Sequence, residues 1–227
     1  MDSFPKPLES VVLGAAGGIG AAIADRLEAL GPVRRLSRAD GLDLTNEASI
    51  QAAAEAAGEP RLVVIATGHL HGHGVEPEKR LADLSPERLA YSFAVNTIGP
   101  ALVLKHFGPR MPRSGKSVIA VLSARVGSIS DNRLGGWYGY RAAKAALNQV
   151  VRTASIELAV RRPELACVAL HPGTVDTGLS APFQKGVAPE RLFTPAVAAE
   201  HLLRVIDGLT GADTGRFLAW DGQEISF

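Results

Sequence analysis

The sequence has little of several features that would define a protein class at once. It contains one cysteine, Cys167, and its formal net charge is +1 over 227 residues. A lone cysteine excludes an internal disulfide framework and is typical of a reducing compartment. A net charge so close to zero provides no field that would attract nucleic acid or an anionic membrane surface. We therefore expect neither kind of partner.

Long hydrophobic runs are also missing. Glycines and charged residues interrupt every apolar stretch well short of the roughly 20 residues that a transmembrane helix needs. The opening segment MDSFPKPLES is polar and lacks the apolar core of a signal peptide, so a cytoplasmic protein is expected. With 46% hydrophobic residues the chain can bury one sizeable core, and a single domain over residues 1–227 is expected.

Short β-branched runs alternate with alanine-rich stretches of helical period along the chain. Strands are expected at 10–14, 33–37, 61–68, 116–124, 165–173 and 215–222. Helices are expected at 18–30, 45–58, 85–108, 137–160 and 194–209. This alternation predicts an α/β fold, a single-domain Rossmann-type doubly wound parallel sheet with helices on both faces.

A glycine-rich turn follows the first expected strand. The segment GAAGGIG places Gly14, Gly18, Ile19 and Gly20 between that strand and the first helix. Glycine lets the backbone turn tightly and lets N–H groups at a helix N-terminus approach a phosphate. A turn that binds nothing is the alternative, but the position after the first strand favours nucleotide binding.

The end of the second expected strand indicates which nucleotide would bind. A carboxylate there would bind the ribose hydroxyls of NAD, whereas Ser37 followed by Arg38 suits the 2′-phosphate of NADP. A solvated surface arginine is the alternative for Arg38, and Arg34 and Arg35 are expected to be surface charges. Asp43, further along, could accept from the adenine amino group or stabilise its own turn.

Tyr140 and Lys144 carry the strongest chemical signal. They are four residues apart at the start of an expected helix, so their side chains share one face. A phenol has an ordinary pKa of about 10, and a nearby cation makes its anion more accessible. Such a pair occurs often by chance, but Asn96 and Ser123 precede it in a chain that also has a dinucleotide turn.

Together these motifs resemble those of the short-chain dehydrogenase/reductase family over nearly the whole chain. The resemblance lies in GAAGGIG, VN at Asn96, Ser123 at the end of a strand, YRAAK and HPGTVDTG, in that order. The segments SARVGSI, WYGYRAAKAALN and FAVNTIGPALVLKHF resemble the compact C-factor-like branch, which is similar to the small carbonyl reductases.

The resemblance implies an NADP(H)-dependent oxidoreductase that moves hydride between nicotinamide and a carbonyl or secondary alcohol. It implies that Tyr140 is the general acid in reduction and that Ser123 binds the carbonyl oxygen. Lys144 would lower the pKa of Tyr140, and Asn96 would hold a water. The residues expected to contact NADP are Gly14, Gly18, Ile19, Gly20, Ser37, Arg38, Asp43, Leu44, Ala66, Thr67, Gly68, Asn96, Tyr140, Lys144, Pro172, Gly173, Val175 and Thr177.

The chain departs from the family pattern on the nucleotide side. Leu13 stands before the glycine turn where a threonine is usual, and ATG replaces NAG, so Thr67 must supply any polar contact there. Only five residues separate Ser37 from Asp43. The second helix of the usual family pattern is therefore expected to be missing, and that edge of the sheet to be trimmed.

A further departure concerns the catalytic hydroxyl. The spacing from Ser123 to Tyr140 is longer than the commonest family spacing, which leaves Ser128 and Ser130 as alternatives. Ser123 is preferred because it ends a strand, as the serine of the family does.

Two loops are open to more than one interpretation. His69, His71 and His73 alternate in GHLHGHG, but no carboxylate or thiol is patterned with them, which favours a polar loop over a metal site. The segment 179–193 is either a lid over the substrate or a surface loop.

The long apolar helices that carry Asn96 and Tyr140 suggest a homodimer or homotetramer, although a buried core face would look the same in sequence. The alternative function is a binding or signalling protein of the C-factor type that keeps the fold but turns over little. A third interpretation is an NAD-linked enzyme with Arg38 on the surface.

Overall fold

The fold is organised around a parallel β-sheet, and the computed structural model describes residues 1–72 and 76–227. Within these residues the strands are β1 (Ser10–Leu13), β2 (Val33–Leu36), β3 (Leu62–Ile65), β4 (Ser117–Leu122), β5 (Leu165–His171), β6 (Thr174–Val175), β7 (Leu192–Phe193) and β8 (Phe217–Ala219). The main sheet has the order β2-β1-β3-β4-β5-β8 with every pairing parallel. A separate short sheet pairs β6 with β7.

The α-helices of the described chain are α1 (Gly18–Glu28), α2 (Glu47–Ala56), α3 (Pro86–Phe93), α4 (Gly99–Phe107), α5 (Tyr138–Ala159) and α6 (Pro195–Gly208). Buried residues of α1 and α6 form one hydrophobic cluster with the sheet, and those of α2, α4 and α5 form another. Helices therefore cover both faces, and the predicted doubly wound α/β fold class is confirmed.

The strands are buried on both faces because successive side chains point to opposite clusters. In β1, Val11 belongs to the cluster under α5 and Val12 to the cluster under α1. Every residue of β1, β3 and β4 is buried. This explains why these strands have nearly continuous apolar sequences rather than an alternating pattern.

The helical region predicted at 85–108 contains an irregular turn. Ala94–Ile98 is a π-helical turn between α3 and α4, in which the Gly99 N–H donates to the carbonyl of Ala94, five residues earlier. Pro100 has no N–H, so the regular bond to the Asn96 carbonyl cannot form. The widened turn carries Asn96, and such turns are frequent at functional sites.

The sheet ends at β2, as the short spacing after that strand predicted. The connection from β2 to β3 contains a 3₁₀ turn, Arg38–Asp40, followed by α2. Among the helices of the described residues, none combines the length and the apolar character that crossing a bilayer would demand.

Candidate active site

The glycine turn between β1 and α1 forms a tight backbone cradle. Gly14 has a φ of 86°, and a Cβ there would stand 2.7 Å from the carbonyl oxygen of Ala66. A Cβ on Gly20 would overlap the Gly14 carbonyl. The N-cap Gly17 offers no side chain to α1, and the first turn has no acidic residue. The first N–H groups of α1 are therefore open to an anion.

Two further predicted residues meet at this turn. The Thr67 hydroxyl, just after β3, is buried and has no hydrogen-bond partner in the described part of the chain. The Thr177 methyl group stands 2.8 Å from where a Cβ on Gly18 would lie, so the segment after β5 contacts the glycine turn. This site fits a phosphate-bearing nucleotide for three reasons: the N-terminus of α1 is open, the glycines of the turn have no Cβ atoms that would block a ligand, and the Thr67 hydroxyl is available as a hydrogen-bond partner.

The end of β2 places opposite charges close together. Arg38 is exposed at the start of the 3₁₀ turn, and the Ser37 hydroxyl donates to Asp40 at 2.6 Å. Arg35 pairs with Asp25 and Glu28, in keeping with a surface charge. Ser37 and Arg38 are therefore accessible, but a carboxylate shares their turn.

Asp43 and Leu44 have mainly structural surroundings. Asp43 accepts hydrogen bonds from the Thr45 hydroxyl at 2.7 Å and from its N–H at 2.8 Å, which hold the pKa of Asp43 below its usual value. Leu44 is buried against α4, where a Cβ on Gly99 would stand 2.7 Å from the Leu44 Cβ. Of the two interpretations of Asp43, this geometry matches the turn residue, and its contact with adenine stays a prediction.

Tyr140 and Lys144 lie together at the carboxyl edge of the sheet. The Lys144 ammonium is buried, donates to the Leu122 carbonyl at 2.9 Å, and stands 5.8 Å from the centre of the Tyr140 ring. Gly127 makes this approach possible, because a Cβ there would stand 2.8 Å from the Lys144 carbonyl carbon.

Burial shifts the pKa values of this pair in opposite directions. It lowers the pKa of Lys144 to about 8 and raises the pKa of Tyr140 well above its ordinary value. Lys144 was expected to lower the pKa of Tyr140, but desolvation of the phenol outweighs an ammonium 5.8 Å from its ring centre. Tyr140 is therefore a neutral phenol at neutral pH, the form that can donate a proton.

Asn96 joins the π-helical turn to the loop after β3. Its amide donates to the His69 carbonyl at 2.8 Å and to the Ser92 hydroxyl at 3.3 Å, and it accepts from the His69 N–H at 2.9 Å. A Cβ on Gly68 would stand 3.6 Å from the Asn96 oxygen and 3.9 Å from the Lys144 ammonium. Asn96, Gly68 and Lys144 therefore meet, and the water expected between them stays a prediction.

The three candidate serines have partners other than Tyr140. The Ser123 hydroxyl donates at 2.6 Å to Asn148, which is eight residues, or about 12 Å of helix, beyond Tyr140. The hydroxyls of Ser128 and Ser130 donate to backbone carbonyls of the last two residues. The predicted role of Ser123 thus requires its hydroxyl to leave Asn148 and turn towards the substrate.

The predicted residues after β5 line the base of the segment that was interpreted as a lid or loop. Gly173 has a φ of 80°, and a Cβ there would stand 2.7 Å from the Phe193 ring. Val175 is buried in β6, which pairs with β7 and so ties together the two ends of the segment. Pro172 is half-buried beside them.

An aromatic group lies above Tyr140. The Trp137 ring is 6.4 Å from the Tyr140 ring and 4.9 Å from Phe183, which in turn lies 5.5 Å from His71. His71 also forms a 2.9 Å hydrogen bond with the Gly178 carbonyl. These contacts join the segment 179–193 to Trp137 and His71, and Trp137 in turn borders Tyr140.

The histidine loop packs against α3 through His69. The ring of His69 packs edge-on against Tyr91 at 4.9 Å, and His73 lies outside the described residues. In the ranges that the structure covers, no three His, Cys, Asp or Glu side chains are placed to hold a metal ion.

Glu78 is a residue of the site that was not anticipated. Its buried carboxylate accepts from the Gly139 N–H at 3.1 Å, next to Tyr140. The available signal was indirect, because α5 begins at GGWY, which contains no Ser, Thr, Asp or Asn that could cap it locally. The first N–H groups of a helix without a local cap are left for water, a ligand or a side chain from elsewhere in the fold.

The fold and site define a class of oxidoreductase. A family model described as enoyl-(acyl carrier protein) reductase matches residues 35–224. The chain belongs to the short-chain dehydrogenase/reductase family.

Known proteins of the family are similar over most of the chain. The C-signal of Myxococcus xanthus is 36% identical over 146 residues, which cover 64% of this chain and 82% of that protein. The 1-hydroxy-2-glutathionyl-2-methyl-3-butene dehydrogenase of Rhodococcus sp. (strain AD45) is 31% identical over 182 residues, 80% of this chain and 76% of that protein. The NADPH-bound carbonyl reductase from chicken fatty liver shares the fold, with a TM-score of 0.83 and 24% identity over 98% of this chain and 100% of that one. The predicted resemblance to the C-factor-like and small carbonyl reductase branch is confirmed.

Replacing Lys144 with methionine is expected to stabilise the protein. Burial lowers the pKa of Lys144 from 10.5 to about 8, so folding at pH 7 desolvates a charged group. After allowance for the lost bond to Leu122, the free energy of unfolding of Lys144→Met should be about 1–2 kcal/mol higher at pH 7. The unfolded chain retains this proton to higher pH than the folded chain, so the difference should shrink between pH 8 and 10.5.

Urea denaturation across this pH range would measure the effect. Lys105→Met is the control, because Lys105 is exposed and pairs with Glu47, and its replacement should change stability by less than about 0.5 kcal/mol. A Lys144→Met variant that is less stable than the wild type at pH 7 would contradict this account.

Proposed function

We propose that the protein is an NADP(H)-dependent oxidoreductase that moves hydride between nicotinamide and a carbonyl or secondary alcohol, with Tyr140 as acid and base. The observation that carries the proposal is the Lys144 ammonium, which lies over the Tyr140 ring and close to Gly68, at the same sheet edge as the open glycine turn. The nicotinamide, when bound, supplies or accepts the hydride. The chain supplies binding, orientation and the proton.

In reduction, Tyr140 donates its phenolic proton to the carbonyl oxygen. Its raised pKa keeps the phenol protonated at neutral pH, so the acid is present in the form that the reaction needs. In oxidation, the same residue must first lose that proton, and the Lys144 ammonium offsets part of the cost of the phenolate. Ser123 remains the predicted second donor to the substrate oxygen.

NADP is the proposed nucleotide because Arg38 is exposed beside Ser37 at the end of β2. The carbonyl reductase from chicken fatty liver is described as NADPH bound, which supports this choice. Asp40 opposes it, since its carboxylate accepts from Ser37 in the same turn. The preference of the protein therefore depends on whether the attraction of Arg38 for a 2′-phosphate exceeds the repulsion by Asp40.

The proposed substrate is a small carbonyl compound or alcohol that fits beside the aromatic group of Trp137, Phe183 and His71. The similar Rhodococcus protein is named as a dehydrogenase of a hydroxy compound, which supports a CH–OH or C=O substrate. The alternative, a signalling protein with little turnover, is favoured by the similarity to the C-signal. The enzyme would consume NADPH in a reaction that requires Tyr140. The signalling protein would consume little NADPH with or without Tyr140.

We also propose a homodimer or homotetramer in the cytoplasm. A groove of about 430 Å³ runs between α4 and α5, and its apolar lining includes Leu104, Val150, Ala154 and Leu158. Val160, the residue that follows α5, is 81% exposed. An apolar helix pair at the surface is typical of an interface between subunits.

The first experiment follows NADPH absorbance with a panel of aldehydes and ketones. Tyr140→Phe should lower turnover of the best substrate by about 10²–10⁴-fold, because the proton donor is removed. NADPH affinity, measured by fluorescence, should change by less than about threefold, since the glycine turn is intact. Tyr138→Phe is the matched control, because this tyrosine lies two residues away on another part of the helix surface. Equal activity of the two variants would exclude Tyr140 as the donor.

The second experiment tests the nucleotide. Arg38→Ala should weaken NADPH binding by about tenfold or more and NADH binding by less than about twofold, because only NADPH has a 2′-phosphate. Arg34→Ala is the control for loss of an exposed arginine in the same strand and should affect neither. Asp40→Asn should strengthen NADPH binding. Equal loss of both nucleotides in Arg38→Ala would argue against NADP specificity.

The third experiment tests the interface. Ala154→Glu would place a carboxylate in the apolar part of a groove that Lys105 and Glu157 also line, and it should convert the oligomer to monomers in light-scattering measurements. Ala52→Glu makes the same change on an exposed position of α2 and should leave the oligomer intact. A wild-type protein that is monomeric at micromolar concentration would contradict the proposal.

A further inference from the structure

Glu78 holds the start of α5 from a distant part of the sequence. It lies between β3 and α3 and is 6% exposed. Its carboxylate accepts from the Gly139 N–H at 3.1 Å, and its backbone carbonyl accepts from the Trp137 N–H at 2.5 Å. One residue, 61 positions before Gly139, therefore binds the first turn through both its side chain and its main chain.

The start of α5 is poorly specified by its own sequence. Trp137, at the N-cap, contributes no side-chain hydrogen bond, and the first turn contains no acidic residue. Trp137 also has a φ of 51°, a left-handed conformation that is unfavourable for a bulky residue by about 1–3 kcal/mol. A carboxylate at this end satisfies an open N–H group and complements the positive end of the helix dipole. Glu78 supplies what the local sequence lacks.

The fit between Glu78 and α5 is close. A Cβ on Gly139 would stand 2.9 Å from a carboxylate oxygen of Glu78, so an alanine could not be added without displacing that group. Tyr140 follows directly, and Tyr140 and Glu78 line one cavity of about 20 Å³, which has room for about one water. Movement of Glu78 would therefore also move Tyr140, the residue next to Gly139.

We propose that Glu78 is a positioning residue for the reaction: it fixes the first turn of α5 and thereby the location of the Tyr140 hydroxyl. The proposal rests on the proposed function of Tyr140. Glu78 acts through the helix and not on the substrate. Because a misplacement of about 1 Å can cost about 10²-fold in rate, loss of this anchor should reduce turnover more than nucleotide binding.

The test compares three variants in steady-state carbonyl reduction at a temperature where all are folded. Glu78→Ala removes the acceptor, and Glu78→Gln retains an oxygen that can accept from Gly139. Asp83→Ala is the matched control, because Asp83 also accepts from backbone N–H groups, but these belong to Lys79 and Arg80, and its ion pair is likewise with Arg80 rather than with a residue of α5. Each variant is also measured for NADPH affinity and melting temperature.

Glu78→Ala should lower kcat by about tenfold or more with NADPH affinity within about twofold, and Glu78→Gln should remain within about threefold of the wild type. Asp83→Ala should lower the melting temperature but leave kcat within about twofold. The proposal is overturned if Glu78→Ala keeps wild-type kcat, or if Asp83→Ala loses as much kcat as Glu78→Ala.

Gly139→Ala perturbs the same contact from the other side. It therefore tests the proposal even if Glu78→Ala folds poorly. In the wild-type background its methyl group should displace the carboxylate and lower kcat. The Glu78→Ala background removes the 2.9 Å contact and leaves only the flexible end of the Leu89 side chain at 3.3 Å, so the double variant should match Glu78→Ala within about twofold. If the kcat losses of Glu78→Ala and Gly139→Ala instead multiply in the double variant, the two substitutions do not act through the same contact.

Failure of this inference can be distinguished from failure of the proposed function. Activity that is lost in Tyr140→Phe but kept in Glu78→Ala rejects only the positioning role. Activity that survives in Tyr140→Phe rejects the proposed chemistry. Hydrogen exchange then still reports on the anchor, because the Gly139 amide should exchange faster in Glu78→Ala and not in Asp83→Ala.

Discussion

The buried ammonium of Lys144 is the constraint on which the rest of the site depends. A charge removed from water is costly unless it is paired, and here the ammonium donates to a neutral carbonyl, that of Leu122. To reach that carbonyl, α5 must lie so close to the turn after β4 that Gly127 has no room for a Cβ. A hydrophobic side chain would fill the same place with less cost in stability. A lysine at this position matches the proposed role of its charge beside Tyr140.

That neighbour is subject to two opposing effects. Desolvation favours the neutral phenol of Tyr140, whereas the ammonium favours the phenolate, and at 5.8 Å from the ring centre desolvation is the larger effect. A neutral phenol is a ready proton donor but a reluctant base. In the proposed reaction, this geometry would make proton donation by Tyr140 in reduction easier than proton acceptance in oxidation, until additional positive charge reaches the hydroxyl. The low pKa of Lys144, about 8, adds to this, because the ammonium is itself close to losing its proton.

The sequence predicted the features that are local and left unpredicted those that depend on contacts between distant residues. Strand and helix order follow from periodicity and from glycine and proline positions, and the Tyr140–Lys144 pair follows from helical spacing. The partner of Ser123 could not be predicted, because 25 residues separate it from Asn148. Glu78 is 61 residues from the amide it caps, and only the missing local cap of α5 pointed to it. The helix predicted at 85–108 also gave no sign of the π-helical turn that carries Asn96 just before Pro100.

The side of the site that contains Lys144 and the side proposed to bind the nucleotide differ in rigidity. They therefore differ in what a substitution disturbs. On the catalytic side, Lys144 and Asn96 are buried, and each has hydrogen-bond partners from another element. On the nucleotide side, the sheet ends at β2, and Arg38 is exposed in a short turn that it shares with Asp40. Substitutions in that turn alter charge without disturbing packing, whereas substitutions around Lys144 alter both. In the proposed enzyme, nucleotide preference would therefore be adjustable through one or two surface residues, whereas a change around Tyr140 would disturb the packed contacts of α5 with Glu78 and with the turn at Gly127.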